Sequence, residues 1–140
     1  MSVDVYSRRR FLAILPGVIL TLSAGTPRTR RAASPGPHPQ PRPGIDASRV
    51  TPRDQVGHDS EREFDMVREF PQVIDGIRCQ CGCADVPDHY SLLSCYEGEG
   101  MAQHCQVCRG QVRLAHRLHG RGRSLDEIRA AIDDEFGSTG

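Results

Sequence analysis

The chain has no lysine, no cysteine outside one stretch of thirty residues, and no apolar run of membrane-spanning length. Its longest such run, Phe11 to Ala24, is 14 residues and carries Pro16 and Gly17 in its middle. A permanent span needs about 20 residues, so this run is short for an anchor. The absence of lysine leaves arginine to supply all 18 basic residues, which reads as genomic base bias rather than function. Excess positive charge is missing too. The formal net charge is zero, and residues 60–140 hold nine Arg against fourteen Asp and Glu. Phosphate binding needs a net basic face, which argues against a nucleic-acid role. No internal repeat is visible. Neither a nucleophile–base–orienter set nor a carboxylate pair in suitable context can be recognised, so catalysis is not the expected role.

What is present begins with an export signal. Ser7-Arg8-Arg9-Arg10-Phe11-Leu12 matches the twin-arginine box, followed by the modest apolar run. Residues 1–33 are read as the signal peptide, with cleavage after Ala24 or Ala33. A plain signal-anchor or a general secretory signal is the alternative. Twin-arginine substrates cross the membrane already folded, often with a metal or cofactor in place. The expected location is the periplasm or extracytoplasmic face, with membrane contact only through the signal segment.

Residues 34–59 show no hydrophobic periodicity, and seven prolines lie between Thr26 and Arg53. This stretch is expected to be a disordered, Pro-rich linker in extended geometry. His38 and His58 fall in it and are given no role.

The folded part is expected over residues 60–137 as an all-α, small Cys-rich helical bundle. Phe64, Val67 and Phe70 share one face of a helix over Glu61 to Phe70, which Pro71 breaks. Val73, Ile74 and Ile77 lead into Cys79, and the run to Cys83 is read as extended, with its three thiols on one side. Asp88 is expected to cap a short helix from His89 to about Cys95. A longer helix is expected from about Met101 to His119, with Cys105, Cys108, Val112 and Ala115 in one stripe. Arg109, Arg113 and Arg117 lie off that stripe and read as a solvated face. Tyr90 and Tyr96 read as packing groups, and His116 and His119 as cations placed near a helix C-terminus. The last helix has a Ser124/Glu127 capping box, an apolar stripe of Leu125, Ile128, Ala131, Ile132 and Phe136, and a stop at Gly137. A core this small often needs a staple or a metal.

The candidate staple is the cysteine set itself: Cys79, Cys81, Cys83, Cys95, Cys105 and Cys108. Three readings apply. In the first, C-x-C-x-C and C-x-x-C supply soft thiolates to a metal, Cu or Zn before an iron–sulfur cluster, with His89 and His104 the nearest imidazoles. In the second, three disulfides staple an exported domain, with 15 possible pairings. In the third, Cys105 and Cys108 perform thiol exchange in the maturation of an envelope redox protein, although no thioredoxin-like βαβ pattern surrounds them. Covalent haem is disfavoured, because Arg109 stands where C-x-x-C-H needs His. The metal reading is adopted, with storage, sensing or delivery as the role.

Cys79-Gln80-Cys81-Gly82-Cys83, His89-x-Ser91-Leu92-x-x-Cys95, Cys105-x-x-Cys108 and Gly122-x-Ser124-Leu125-x-Glu127-Ile128-Arg129 appear in that order. Over about residues 70–137 this set resembles the PCYCGC-motif proteins, small exported bacterial proteins without an assigned function, many of them lipoproteins. Arg78 stands where the family has Pro, and Gln80 where it has Tyr. A lipobox cysteine is absent, since Gly25 follows Leu22-Ser23-Ala24, which argues against lipid anchoring. The resemblance implies that Cys79, Cys81, Cys83, His89, Cys95, Cys105 and Cys108 form the functional set. It implies no reaction. A looser similarity, to thiol subunits of cytochrome c maturation, is analogy alone.

Overall fold

The computed structural model describes residues 36–137, so the export box, the apolar run and both candidate cleavage sites lie outside the described residues. Among the described residues there is no strand. Four α-helices carry the fold: α1 (Glu61–Glu69), α2 (Pro71–Asp75), α3 (Gln106–His119) and α4 (Leu125–Phe136), joined by short 3₁₀ turns. The expected all-α bundle is what forms. No described helix is long and apolar enough to cross a membrane.

The helices assemble through the stripes read from the sequence. Phe64 and Val67 of α1, Val112 and Ala115 of α3, and Ile128 and Ile132 of α4 are all fully buried. Pro71 ends α1 and opens α2 at its first turn, where the missing N–H costs nothing. The α4 capping box is present: the Ser124 N–H donates to Glu127 Oε2 at 2.8 Å, and the Glu127 N–H donates to Ser124 Oγ at 3.3 Å.

Three local expectations are corrected. The long third helix is divided, with a 3₁₀ turn over Met101–His104 and α3 starting only at Gln106. Gly100 enters that turn at φ +64°, and the Phe64 ring lies 3.0 Å from where a Cβ would sit, so this position needs glycine on both counts. Asp88 caps nothing; it sits at φ +67°, and Ser91 instead caps a 3₁₀ turn over Leu92–Tyr96. The arginine face is only partly solvated. Arg109 and Arg113 reach the buried Glu63 carboxylate at 3.3 and 2.6 Å, whereas Arg117 is exposed. Helical spacing placed them away from the stripe, but α1 lies on that flank.

The larger correction concerns residues 34–59. From residue 36 this segment is a strap laid against the helices, not a disordered linker. Ile45, Val50 and Thr51 are buried, and Ile45 and Val50 belong to the core. Arg42 binds Asp75 through its backbone N–H at 2.8 Å and its guanidinium at 2.7 Å. Thr51 donates to the Tyr96 carbonyl oxygen through both its N–H and its hydroxyl, each at 2.8 Å. Asp46 caps a 3₁₀ turn over Ala47–Arg49. Prolines do hold much of this segment extended, but an extended chain can still place two apolar anchors and a charged clamp against a ready surface.

Candidate metal centre

The sulfur cluster is built where α2 runs out. The Ile77 carbonyl oxygen accepts from the Leu92 N–H at 2.7 Å, which ties the start of the cysteine segment to the turn that carries Cys95. The chain then turns rather than extending. Gly82 takes φ +90°, a region open to glycine, and Cys83 begins a 3₁₀ turn. The thiols of Cys79, Cys81 and Cys83 still form one continuous row, with separations of 3.1 and 3.0 Å, but through a turn and not through strand alternation.

Four sulfurs converge. Cys79 Sγ lies 3.1 Å from Cys81, 3.5 Å from Cys108 and 3.6 Å from Cys95. Cys108 Sγ lies 3.4 Å from Cys81 and 3.6 Å from Cys95. All four ligand atoms fall within 4.8 Å of one another. A tetrahedral zinc tetrathiolate with bonds near 2.3 Å has sulfur–sulfur edges of about 3.8 Å. The separations of 3.1 to 3.6 Å are each within about 0.7 Å of that edge. Cys79, Cys95 and Cys108 are essentially inaccessible, and Cys81 is half-buried.

A second group meets the first at Cys95. Cys83, His89 and Cys95 also place their ligand atoms within 4.8 Å of one another, with His89 Nε2 at 3.1 Å from Cys95 Sγ. The other ring nitrogen, His89 Nδ1, is buried without a hydrogen-bond partner. Such an orphan typically costs about 1–3 kcal/mol. One ring nitrogen thus meets Cys95, and the other makes no hydrogen bond.

Around the sulfurs lies a shell that sequence reasoning missed. Gln111, fully buried, accepts from the Gln80 N–H at 3.2 Å and from the Cys79 thiol at 3.7 Å, and donates to the Arg78 carbonyl oxygen at 3.4 Å. Gln80 donates through its side chain to Asp133 of α4 at 2.7 Å. His38, given no role from sequence, accepts from the Arg78 N–H at 2.9 Å and meets Asp133 at 3.0 Å. Tyr96 packs edge-on to Phe64 at 4.7 Å and donates its hydroxyl to the Cys108 carbonyl oxygen at 3.0 Å. One signal for Gln111 was present: a polar residue three places after Cys108, on a helix side otherwise apolar.

The cluster's electrostatics follow from crowding. Hydrogen bonds from the Cys108, Cys79 and Cys95 thiols hold Cys81 far below the usual thiol range, as a thiolate. Cys108 is raised by its hydrogen bonds to Cys79, Cys81 and Cys95, and then by burial. For Cys95 the bond with Cys108 acts downward, but those with Cys79 and Cys81, together with burial, outweigh it and the thiol is raised. Cys83 is pushed up to about 12 by its hydrogen bond with Cys81 and by burial. Without a cation, one buried negative charge is therefore shared among S–H donors, since several thiolates at these distances repel. Burial lowers His89, which favours the neutral imidazole that ligates metals.

Of the seven residues expected to act together, six are contiguous in space: Cys79, Cys81, Cys95 and Cys108 in one set, Cys83 and His89 joined to it through Cys95. Cys105 belongs to neither set. It is not on the helical face with Cys108 but at the N-cap of α3, where its sulfur accepts from the Cys108 N–H at 3.4 Å. The half-turn offset of a cap residue explains why helical spacing misplaced it. His104 is exposed and also in neither set. His116 meets Glu69 at 2.7 Å and His119 stacks on Phe70 at 5.1 Å, both structural uses. All six cysteines are free. The chain matches no protein-family model, no curated protein and no solved structure. The resemblance to the PCYCGC-motif proteins therefore rests on the ordered motifs alone.

Proposed function

We propose that this protein binds a soft metal ion, Cu(I) or Zn(II), through Cys79, Cys81, Cys95 and Cys108, and that it stores, senses or delivers that ion in the cell envelope. One observation carries the reading: Cys79 and Cys108 each lie within 3.6 Å of three other sulfurs. Disulfide pairing gives every sulfur one partner, whereas convergence of four on a common centre is what a single ion requires. Soft thiolates select Cu(I) and Zn(II), and a buried tetrathiolate with no open position suits holding an ion more than catalysis. A four-iron cluster fits less well, since its irons occupy separate corners and spread their thiolates well beyond 4.8 Å.

The twin-arginine box supports loading in the cytoplasm and export of the folded, metal-bound protein, with an envelope redox or metal protein as the recipient. Kinship with the PCYCGC-motif proteins is part of the same proposal. The test is elemental analysis of protein purified from the envelope, combined with alkylation counting of free thiols. Near-stoichiometric Cu or Zn is expected, and metal-free protein with no free thiols would refute the reading. Changing Arg8 and Arg9 to Lys is expected to leave the protein in the cytoplasm; unaltered export would refute the route.

A further inference from the structure

The four-thiolate set leaves Cys83 and His89 unused, yet both are brought to its edge. Cys83 Sγ is 3.0 Å from Cys81 Sγ, and His89 Nε2 is 3.1 Å from Cys95 Sγ. Cys83, His89 and Cys95 bring two sulfurs and one imidazole within 4.8 Å of one another, so Cys95 is common to both sets. A thiolate has lone pairs enough to bind two cations at once. His89 Nδ1, the ring nitrogen away from that contact, is buried with no hydrogen-bond partner.

We infer that the protein holds two soft cations, the second at Cys83, His89 and Cys95, bridged to the first by the Cys95 sulfur. The inference rests on the proposed reading of the four-thiolate set as a metal site. The two positions differ in access. Cys79, Cys95 and Cys108 are sealed, whereas Cys83 and His89 are half-buried and lie beside the exposed segment 85–88, where Val86 is 54% exposed. The inner ion is enclosed by four sulfurs. The outer ion has three protein donors, which satisfies three-coordinate Cu(I) and leaves Zn(II) one position for water or for a thiolate or imidazole of a recipient protein. The outer ion is the transferable one, and the inner ion sets the position of the bridging sulfur. The thiols that carry protons release them to solvent as the ions bind, and no oxidation or reduction is involved.

The test titrates reduced, metal-stripped full-length protein anaerobically with Zn(II) and, separately, with Cu(I), and counts ions by native mass spectrometry. Two ions are expected with at least one of the metals, the second lost first to a competing chelator. Cys83→Ser and His89→Gln are each expected to reduce the count to one while leaving the affinity of the remaining ion within a few-fold. A single ion in the unaltered protein, or two ions persisting in both variants, overturns the second site and leaves the first intact. No ion with either metal overturns both. Should the variants fold poorly, ¹¹³Cd NMR of the unaltered protein decides: two resonances coupled through one bridging sulfur are expected, and one tetrathiolate resonance alone overturns the inference.

Discussion

Gln111 holds the backbone of Gln80. Its side-chain oxygen accepts the Gln80 N–H at 3.2 Å, and its nitrogen donates to the Arg78 carbonyl oxygen at 3.4 Å. Gln111 lies one helical turn beyond Cys108, so the helix that provides one thiol also fixes the turn that provides two more. Gln111→Leu keeps roughly the side-chain size but takes the partner from the buried Gln80 N–H and from the part-buried Arg78 carbonyl. It is expected to lower the stability of the metal-free protein by about 1–3 kcal/mol. Loss of such supporting contacts is also expected to weaken metal affinity by about 10–100-fold. Urea melts and chelator competition measure the two effects; unchanged affinity would mean that the turn holds its own shape.

The strap makes a second prediction. Ile45 and Val50 are 6% and 4% exposed, which for side chains of this kind corresponds to about 1.5–3 kcal/mol each from burial. Ile45→Ser and Val50→Ser should each destabilise the protein to about that extent, by denaturant melts. A disposable linker would tolerate both substitutions, and a silent result would restore that view of the segment.

Periodicity made most of the bundle readable: the faces of α1 and α4 and the α4 capping box depend on neighbours within one or two turns. The strap was not readable, because Ile45 and Val50 are isolated apolar residues amid prolines and acquire meaning only against a surface made by distant residues. The cysteine cluster was readable as a set but not as a partition. Spacing alone put Cys105 beside Cys108, and it could not show that a 3₁₀ turn ends at Cys105 and hands it the N-cap. Nor could it show Cys95 shared between two groups, since that depends on how the turns at Cys83 and Leu92 approach each other. His38, Gln111 and Asp133 support the turn at Arg78 and Gln80 from three separate parts of the chain, a pattern with no local signature.

Acid should loosen the strap through Asp75. Its side chain is inaccessible; burial acts to raise its pKa, but hydrogen bonds from Arg42 and Ser91 outweigh that and hold it below the ordinary value. A carboxylate depressed in the folded state contributes stability above the unfolded value of about 3.9, and that contribution is lost as pH falls through the folded value. The protein should therefore weaken below about pH 4, and Asp75→Asn should be less stable near neutrality and flatter across that acid range. Parallel acid profiles for the two proteins would remove Asp75 from this role.

Metal loading should depend steeply on pH in the opposite range. The Cys95 and Cys108 thiols are raised in the metal-free fold, so both must give up protons when an ion binds. Two released protons strengthen apparent affinity by about a hundredfold per pH unit while both remain protonated. In the metal-free protein the two raised thiols act the other way, contributing stability below the unfolded value of about 8.5 and losing it as pH rises through the folded value. The lowered Cys81 contributes stability above about 8.5 that is lost as pH falls through its folded value. Binding at a thousandfold excess over Kd adds about 4 kcal/mol. Melting temperatures with and without Zn(II), taken from about pH 6 to about pH 9, should therefore diverge as pH rises. A gap independent of pH would mean that the ion displaces no thiol protons, and a buried thiolate centre could not then be what binds it.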